Sequence, residues 1–191
     1  MIPHRLSNGI CSLNPEVDRL TLSCRMEINA RGEVVKHEIF DSVIHSNYRM
    51  PYDAVNKIIT DQDPQVRAQY KELTPMLDLA QDLSHRLIQM RRRRGEIDFD
   101  INEAKVLVNE EGIPTDVQMR ERGEGERLIE SFMLAANETV AEHFNKMEVP
   151  FIYRVHEQPK SDRLRQFFDF ITNFGIMILS LIHISEPTRQ A

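Results

Sequence analysis

The strongest constraint on the fold is a period of two in residues 18–29. There Leu20, Leu22, Cys24, Met26 and Ile28 alternate with Arg19, Thr21, Ser23, Arg25 and Glu27. Successive side chains on a strand point to opposite faces, so the pattern predicts a strand with one buried apolar face. Ala30-Arg31-Gly32-Glu33 supplies a glycine turn, and residues 34–46 read as the returning strand of a hairpin. A second, shorter pair is predicted at residues 104–109 and 114–120, joined by Glu110-Glu111-Gly112.

Helical periodicity occupies most of the rest. Pro51 suits the first turn of a short helix over residues 51–59. Residues 64–94 carry the longest pattern, with Leu73, Met76, Leu77, Ala80, Leu83, Leu87 and Met90 on one stripe. Pro75 would fall inside it, which predicts a break near Thr74. Gly95 stands where a helix ends, and Arg91, Arg92, Arg93 and Arg94 suit the negative end of its dipole. Gly123 and Gly125 lead into a helix over residues 126–146. Its expected buried stripe is Ile129, Phe132, Met133, Ala136, Val140 and Phe144, with Glu126, Glu138 and Glu142 turned away. A short strand at residues 151–155 and a helix at 161–174 complete the chain. Hairpins alternating with long amphipathic helices point to an α+β fold.

Composition narrows the classes of function. Of 191 residues, 41% are hydrophobic and 28% charged, as in a globular domain rather than a disordered chain. The longest apolar stretch, residues 174–184, is too short for a membrane span and contains Ser180 and His183. Two cysteines, Cys11 and Cys24, make no disulfide framework, and they read as reduced packing thiols of a cytoplasmic protein. A net charge of −6 argues against coating nucleic acid by bulk electrostatics. It leaves open a local basic or aromatic channel, because net charge averages over the whole surface.

Four segments carry a resemblance. Met1-Ile2-Pro3-His4-Arg5-Leu6-Ser7-Asn8-Gly9-Ile10-Cys11-Ser12-Leu13-Asn14-Pro15 resembles an internal run of the catalytic domain of the ribonuclease R / ribonuclease II exoribonucleases. Arg94-Gly95-Glu96-Ile97-Asp98-Phe99-Asp100 resembles their approach to the active site. Residues 126–137, Glu-Arg-Leu-Ile-Glu-Ser-Phe-Met-Leu-Ala-Ala-Asn, match a helix of that family, and Tyr153-Arg154-Val155-His156-Glu157-Gln158-Pro159 match one of its turns. The segments stand in family order and cover residues 1–175.

The resemblance implies a partial RNB catalytic domain over residues 1–178, truncated at both ends. It implies a parent enzyme that processively hydrolyses single-stranded RNA from the 3′ end and releases nucleoside monophosphates. That parent is expected to be cytoplasmic and monomeric, with no membrane association. In the family, Mg²⁺ is held by an Asp cluster of the form D…DxDD, and an arginine in a "TSPIRRY"-like segment stabilises the transition state. Neither pattern occurs in residues 1–178, so the metal ligands are expected outside this chain and the fragment alone is expected to be inactive. Residues 179–191, Leu-Ser-Leu-Ile-His-Ile-Ser-Glu-Pro-Thr-Arg-Gln-Ala, resemble the translation of a sequencing adapter and are expected to be non-native. A non-catalytic RNA-binding or scaffold protein that keeps the domain without its metal site is the alternative.

Individual residues inherit roles from the resemblance. Phe99 is expected to stack on the 3′-terminal base, although on the residues alone it reads as strand core. Glu130 is expected to contact the terminal ribose, although alone it reads as a solvated helix residue. Arg94, with the run that begins at Arg91, could contact phosphate, or simply close a helix in solvent. His4 and His156 lack a nucleophile or carboxylate partner nearby in sequence and read as structural. Asp98 and Asp100 flank Phe99 but make only weak evidence for a metal.

Overall fold

The computed structural model describes residues 2–97, 103–109, 111–120, 122–155 and 158–175. The chain divides into two units, Met1–Val149 and Pro150–Ala191. The first opens with a wide helical turn, Arg5–Ile10, followed by β1 (Asp18–Ile28) and β2 (Val34–His45). These strands pair antiparallel from Asp18 opposite His45 to Ile28 opposite Val34, with an irregularity at Glu27/Ile28. Asn29 builds the turn: its Oδ1 accepts from Arg31 N at 2.9 Å and from Glu33 N at 3.1 Å. Gly32 is required there twice over. Its φ is +82°, and a Cβ would lie 2.6 Å from the Arg86 carbonyl oxygen.

The expected buried face of β1 is only half realised. Leu20 and Leu22 are 89% and 72% exposed, while Arg19, Thr21 and Ser23 are partly covered. Hydrogen bonding explains the inversion. Arg19 Nε donates to Ser12 O at 2.9 Å, which draws the opening segment onto the polar face. Thr21 and Ser23 hydroxyls meet Ser42 Oγ at 2.8 and 2.6 Å. Beyond Cys24 the expected face does turn inward, where Met26 Sδ accepts from Thr139 Oγ1 at 3.3 Å. Nearby, His37 Nε2 lies 2.9 Å from His143 Nδ1, a second link from the hairpin to the long helix described below.

Next come α1 (Tyr52–Ile59), α2 (Pro64–Gln69) and α3 (Thr74–Arg93). Pro51 caps α1 from outside, one position earlier than expected. The long pattern of residues 64–94 breaks into two helices at the position its proline demands. Asp63 caps α2 through bonds to Gln65 N and Val66 N, and Pro75 sits in the first turn of α3, where no donor is missed. Gly95 follows with φ +93°, as a C′ glycine should. Val55, Ile58, Ile59, Leu77 and Leu128 form the core where α1 and α3 meet the long helix α4 (Glu124–Lys146). Met76, expected on the buried stripe of α3, is 54% exposed.

The buried stripe of α4 is also displaced from expectation. Ile129 and Met133 are 48% and 54% exposed, whereas Gly125, Leu128, Ser131 and Thr139 are buried. That is a rotation of about 100°, one residue on the helical wheel. Small residues at 125 and 131 allow α1 and α3 to approach, and the larger Ile129 and Met133 are carried outward.

A second hairpin pairs β3 (Glu103–Val108) with β4 (Pro114–Arg120), Val106 lying opposite Val117. Asn109 Oδ1 organises its turn, and Val106, Val117 and Met119 remain exposed. The architecture is therefore α+β, with two-stranded antiparallel hairpins and long helices.

In the second unit, α5 (Ser161–Thr172) ends two residues earlier than expected. Residues 151–155 do not form the expected strand. A strand needs a neighbour for its N–H and C=O groups, and among the described residues none pairs with this segment. Phe151 and Tyr153 instead meet edge to face, with ring centroids 5.3 Å apart. The tail at residues 179–191 lies outside the described residues.

Candidate functional site

Helices α3 and α4 lie side by side and run in the same direction. His85 meets Glu124 at 3.1 Å, Arg91 meets Ser131 at 3.2 Å and Arg94 meets Glu138 at 2.7 Å. Glu130 projects from the first half of α4 beside the end of α3. Its side chain is 41% exposed, and its Oε2 accepts from Arg122 Nη1 at 3.1 Å. A cavity of about 30 Å³, room for roughly one water, lies against it and is lined by Arg91, Glu96, Arg122, Arg127, Glu130 and Ser131, with Ile88.

The arginine run does not behave as a unit. Arg91 is turned inward, its side chain only 11% exposed. Its Nε donates to both oxygens of Glu96 at 2.9 Å, and its Nη2 donates to Ser131 Oγ. Ser131, fully buried, donates its hydroxyl hydrogen bond to Arg127 O at 2.8 Å. This chain of bonds clips the turn after α3 to the helix that carries Glu130. Arg94, by contrast, is exposed and pairs with Glu138. Glu138 lies eight residues beyond Glu130, about 12 Å along the axis, so Arg94 and Glu130 occupy different stations of one surface.

The start of α4 is set from α1. Asn56 Oδ1 accepts from Gly125 N at 2.7 Å, and Asn56 Nδ2 donates to Glu126 Oε2 at 3.2 Å. A Cβ at Gly123 would stand 2.4 Å from Asn56 Nδ2, and one at Gly125 3.0 Å from Asn56 Oδ1. The two glycines thus admit a borrowed cap that no residue of α4 itself provides. Asn56 was missed in the sequence; the signal was the glycine pair, which announces close approach without naming the partner. A wider cavity of about 780 Å³ opens here, and Asn56, Arg122 and Arg127 are among the residues lining it.

Phe99, Asp98, Asp100 and His156 lie outside the described residues. His4 is exposed. Among the described residues no three His, Cys, Asp or Glu side chains lie close enough to hold a metal ion. Glu96, Glu130 and Glu138 each face an arginine instead, so this donor set does not fit a divalent cation. What the surface offers is a half-exposed carboxylate able to accept from a hydroxyl, flanked by guanidinium groups suited to anions.

Known proteins resemble the chain along almost its whole length. The RNB domain family matches residues 1–190. Ribonuclease R 1 of Lactococcus lactis is 52% identical over 178 residues, which are 93% of this chain and 22% of that protein. Ribonuclease R of Thermotoga maritima is 44% identical over 177 residues, 92% of this chain and 25% of its own length. The solved structure of Mycoplasma genitalium RNase R in complex with ribose-methylated single-stranded RNA superposes with a TM-score of 0.78 at 29% identity, over 92% of this chain and 27% of that one. The chain therefore spans about a quarter of the length of these relatives.

Proposed function

The chain belongs to the RNB domain family, and on that premise we propose that it is part of the catalytic domain of a 3′–5′ exoribonuclease. The observation that carries this reading is the 52% identity to a ribonuclease R across 93% of the chain. The parent protein binds the 3′ end of single-stranded RNA and hydrolyses it stepwise to nucleoside monophosphates. Residues 1–178 supply part of the substrate channel. In the parent, Mg²⁺ would supply charge neutralisation and water activation, and the arginine-paired Glu96, Glu130 and Glu138 would not be its ligands. No helix among the described residues is long and apolar enough to cross a membrane, and the parent acts as a cytoplasmic monomer.

Three residues of this chain meet the RNA. Glu130 accepts from the terminal 2′-hydroxyl, a group DNA lacks, so its contact favours RNA. Its half-exposed position at a polar cavity supports that role. Phe99 stacks on the terminal base without reading its identity, because every base has a π-face. Arg94, exposed beyond the end of α3, meets a phosphate and exchanges its contact with Glu138 to do so.

The test uses the full-length parent with Mg²⁺ and RNA or DNA of one sequence. Glu130→Ala should narrow the preference for RNA ends, since a hydrogen bond to a charged group contributes roughly 1.5–3 kcal/mol. Phe99→Ala should weaken RNA and DNA ends alike, by ~1–3 kcal/mol. Equal losses on both sugars for Glu130→Ala sink the ribose contact. A parent that binds 3′ ends but never shortens them would be the non-catalytic RNA-binding protein instead.

A further inference from the structure

Glu130 can read a sugar only if its carboxylate is held in one place, and a solvent-facing helix side chain is not held by its own backbone. The neighbouring groups narrow the choice of holder. Arg91 is committed to Glu96 and Ser131, and Ser131 to the Arg127 carbonyl, so that chain fixes the helix rather than the carboxylate. The guanidinium that reaches Glu130 itself is Arg122, through Nη1 and Oε2 at 3.1 Å.

Arg122 is not a chance neighbour on the helix surface. It precedes Gly123, outside α4, and reaches forward along the first two turns to a residue eight positions on. Its starting point is tightly located, because Gly123 sits where any Cβ would strike Asn56, and Asn56 caps the helix at Gly125. The two side chains are 38% and 41% exposed, so RNA can reach the carboxylate while the ion pair persists.

We infer that Arg122 is a positioning residue for sugar selection: anchored by the Gly123–Asn56 contact, it engages Glu130 Oε2 and leaves Oε1 to meet the terminal 2′-hydroxyl. This deepens the ribose-reading role proposed above and rests on it. Arg122 touches no reacting atom in this scheme; it acts through Glu130. An exposed ion pair contributes little to stability by itself, so its effect belongs in the bound state, where RNA displaces the competing water.

The experiment measures equilibrium binding of the full-length parent, with divalent metal chelated to stop cleavage. The probes are a fluorescein-labelled RNA oligonucleotide and the same strand ending in one 2′-deoxynucleotide. The reading is the ratio of the two affinities, which a merely structural role would leave untouched because both strands would weaken together. Glu130→Gln should lower the ratio about tenfold. Arg122→Gln should lower it about three- to fivefold, and Arg122→Lys, which keeps the charge, should retain most of it. The double variant should fall no lower than Glu130→Gln alone, because residues acting through one contact are not additive. An unchanged ratio in Arg122→Gln, or losses that add in the double variant, overturns the inference while leaving the ribose contact intact. An unchanged ratio in Glu130→Gln overturns the ribose contact and the inference together.

Discussion

Replacing Asn56 with alanine should loosen the start of α4 and the platform beneath Glu130. The side chain makes two bonds across the α1–α4 contact, at 2.7 Å to Gly125 N and at 3.2 Å to Glu126 Oε2. Loss of a helix cap costs about 0.5–2 kcal/mol, and the part-buried bond to the Glu126 carboxylate adds roughly 0.5–1 kcal/mol. The sum, about 1–3 kcal/mol, should appear as roughly 5- to 150-fold faster hydrogen exchange at amides 125–128 of the full-length parent. Gly125→Ala provides the sharper test. Its Cβ would stand 3.0 Å from Asn56 Oδ1 and 3.3 Å from Val55 Cγ1, so in the natural background it disturbs the cap and destabilises. With Asn56→Ala already in place, the nearer obstacle is gone and only the 3.3 Å approach to Val55 Cγ1 remains, so the loss should shrink. Exchange left unchanged by Asn56→Ala, or a Gly125→Ala loss of the same size in both backgrounds, would refute the borrowed cap.

Gly32→Ala should destabilise the parent by about 2–4 kcal/mol in a denaturant titration, because it combines positive-φ strain with a carbonyl 2.6 Å from the new Cβ; a loss under ~0.5 kcal/mol would mean that the hairpin and α3 separate freely. Burial pushes the Cys24 thiol up, which disfavours its thiolate, so alkylation near pH 8 should be slower there than at the exposed Cys11; peptide mapping that finds the reverse order refutes the burial. The isolated 191-residue chain should leave RNA unshortened in the presence of Mg²⁺ and should self-associate through Leu20, Leu22, Val106 and Val117. A monodisperse monomer with one sharp melt in sedimentation and circular dichroism would contradict that surface.

Local chemistry makes much of the architecture legible in the sequence alone. Alternation set β1, Pro75 marked the start of α3, and Gly95 and Gly112 supplied positive φ where their turns require it. These are properties of a residue and its immediate neighbours, and they survive in any tertiary setting. The family was legible too, from four short motifs in order.

What periodicity could not settle was which side of an element faces the interior. On β1 the apolar face is exposed at Leu20 and Leu22 because Ser12, Ser42 and the Arg19 guanidinium claim the opposite side. On α4 the stripe moved by one residue because Gly125 and Ser131 admit close approach and Ile129 does not. The site shows the same division. Glu130 and Arg94 were named by sequence, but Glu138 emerged as Arg94's partner only from the pairing of α3 with α4, and Arg122 as Glu130's only from the way the chain enters α4. Asn56, some seventy residues from the helix it caps, could not be paired by any local rule. Sequence determined the elements, their breaks and the family; tertiary structure decided the faces and the partners, because packing weighs shape and hydrogen bonding between segments that periodicity reads one at a time.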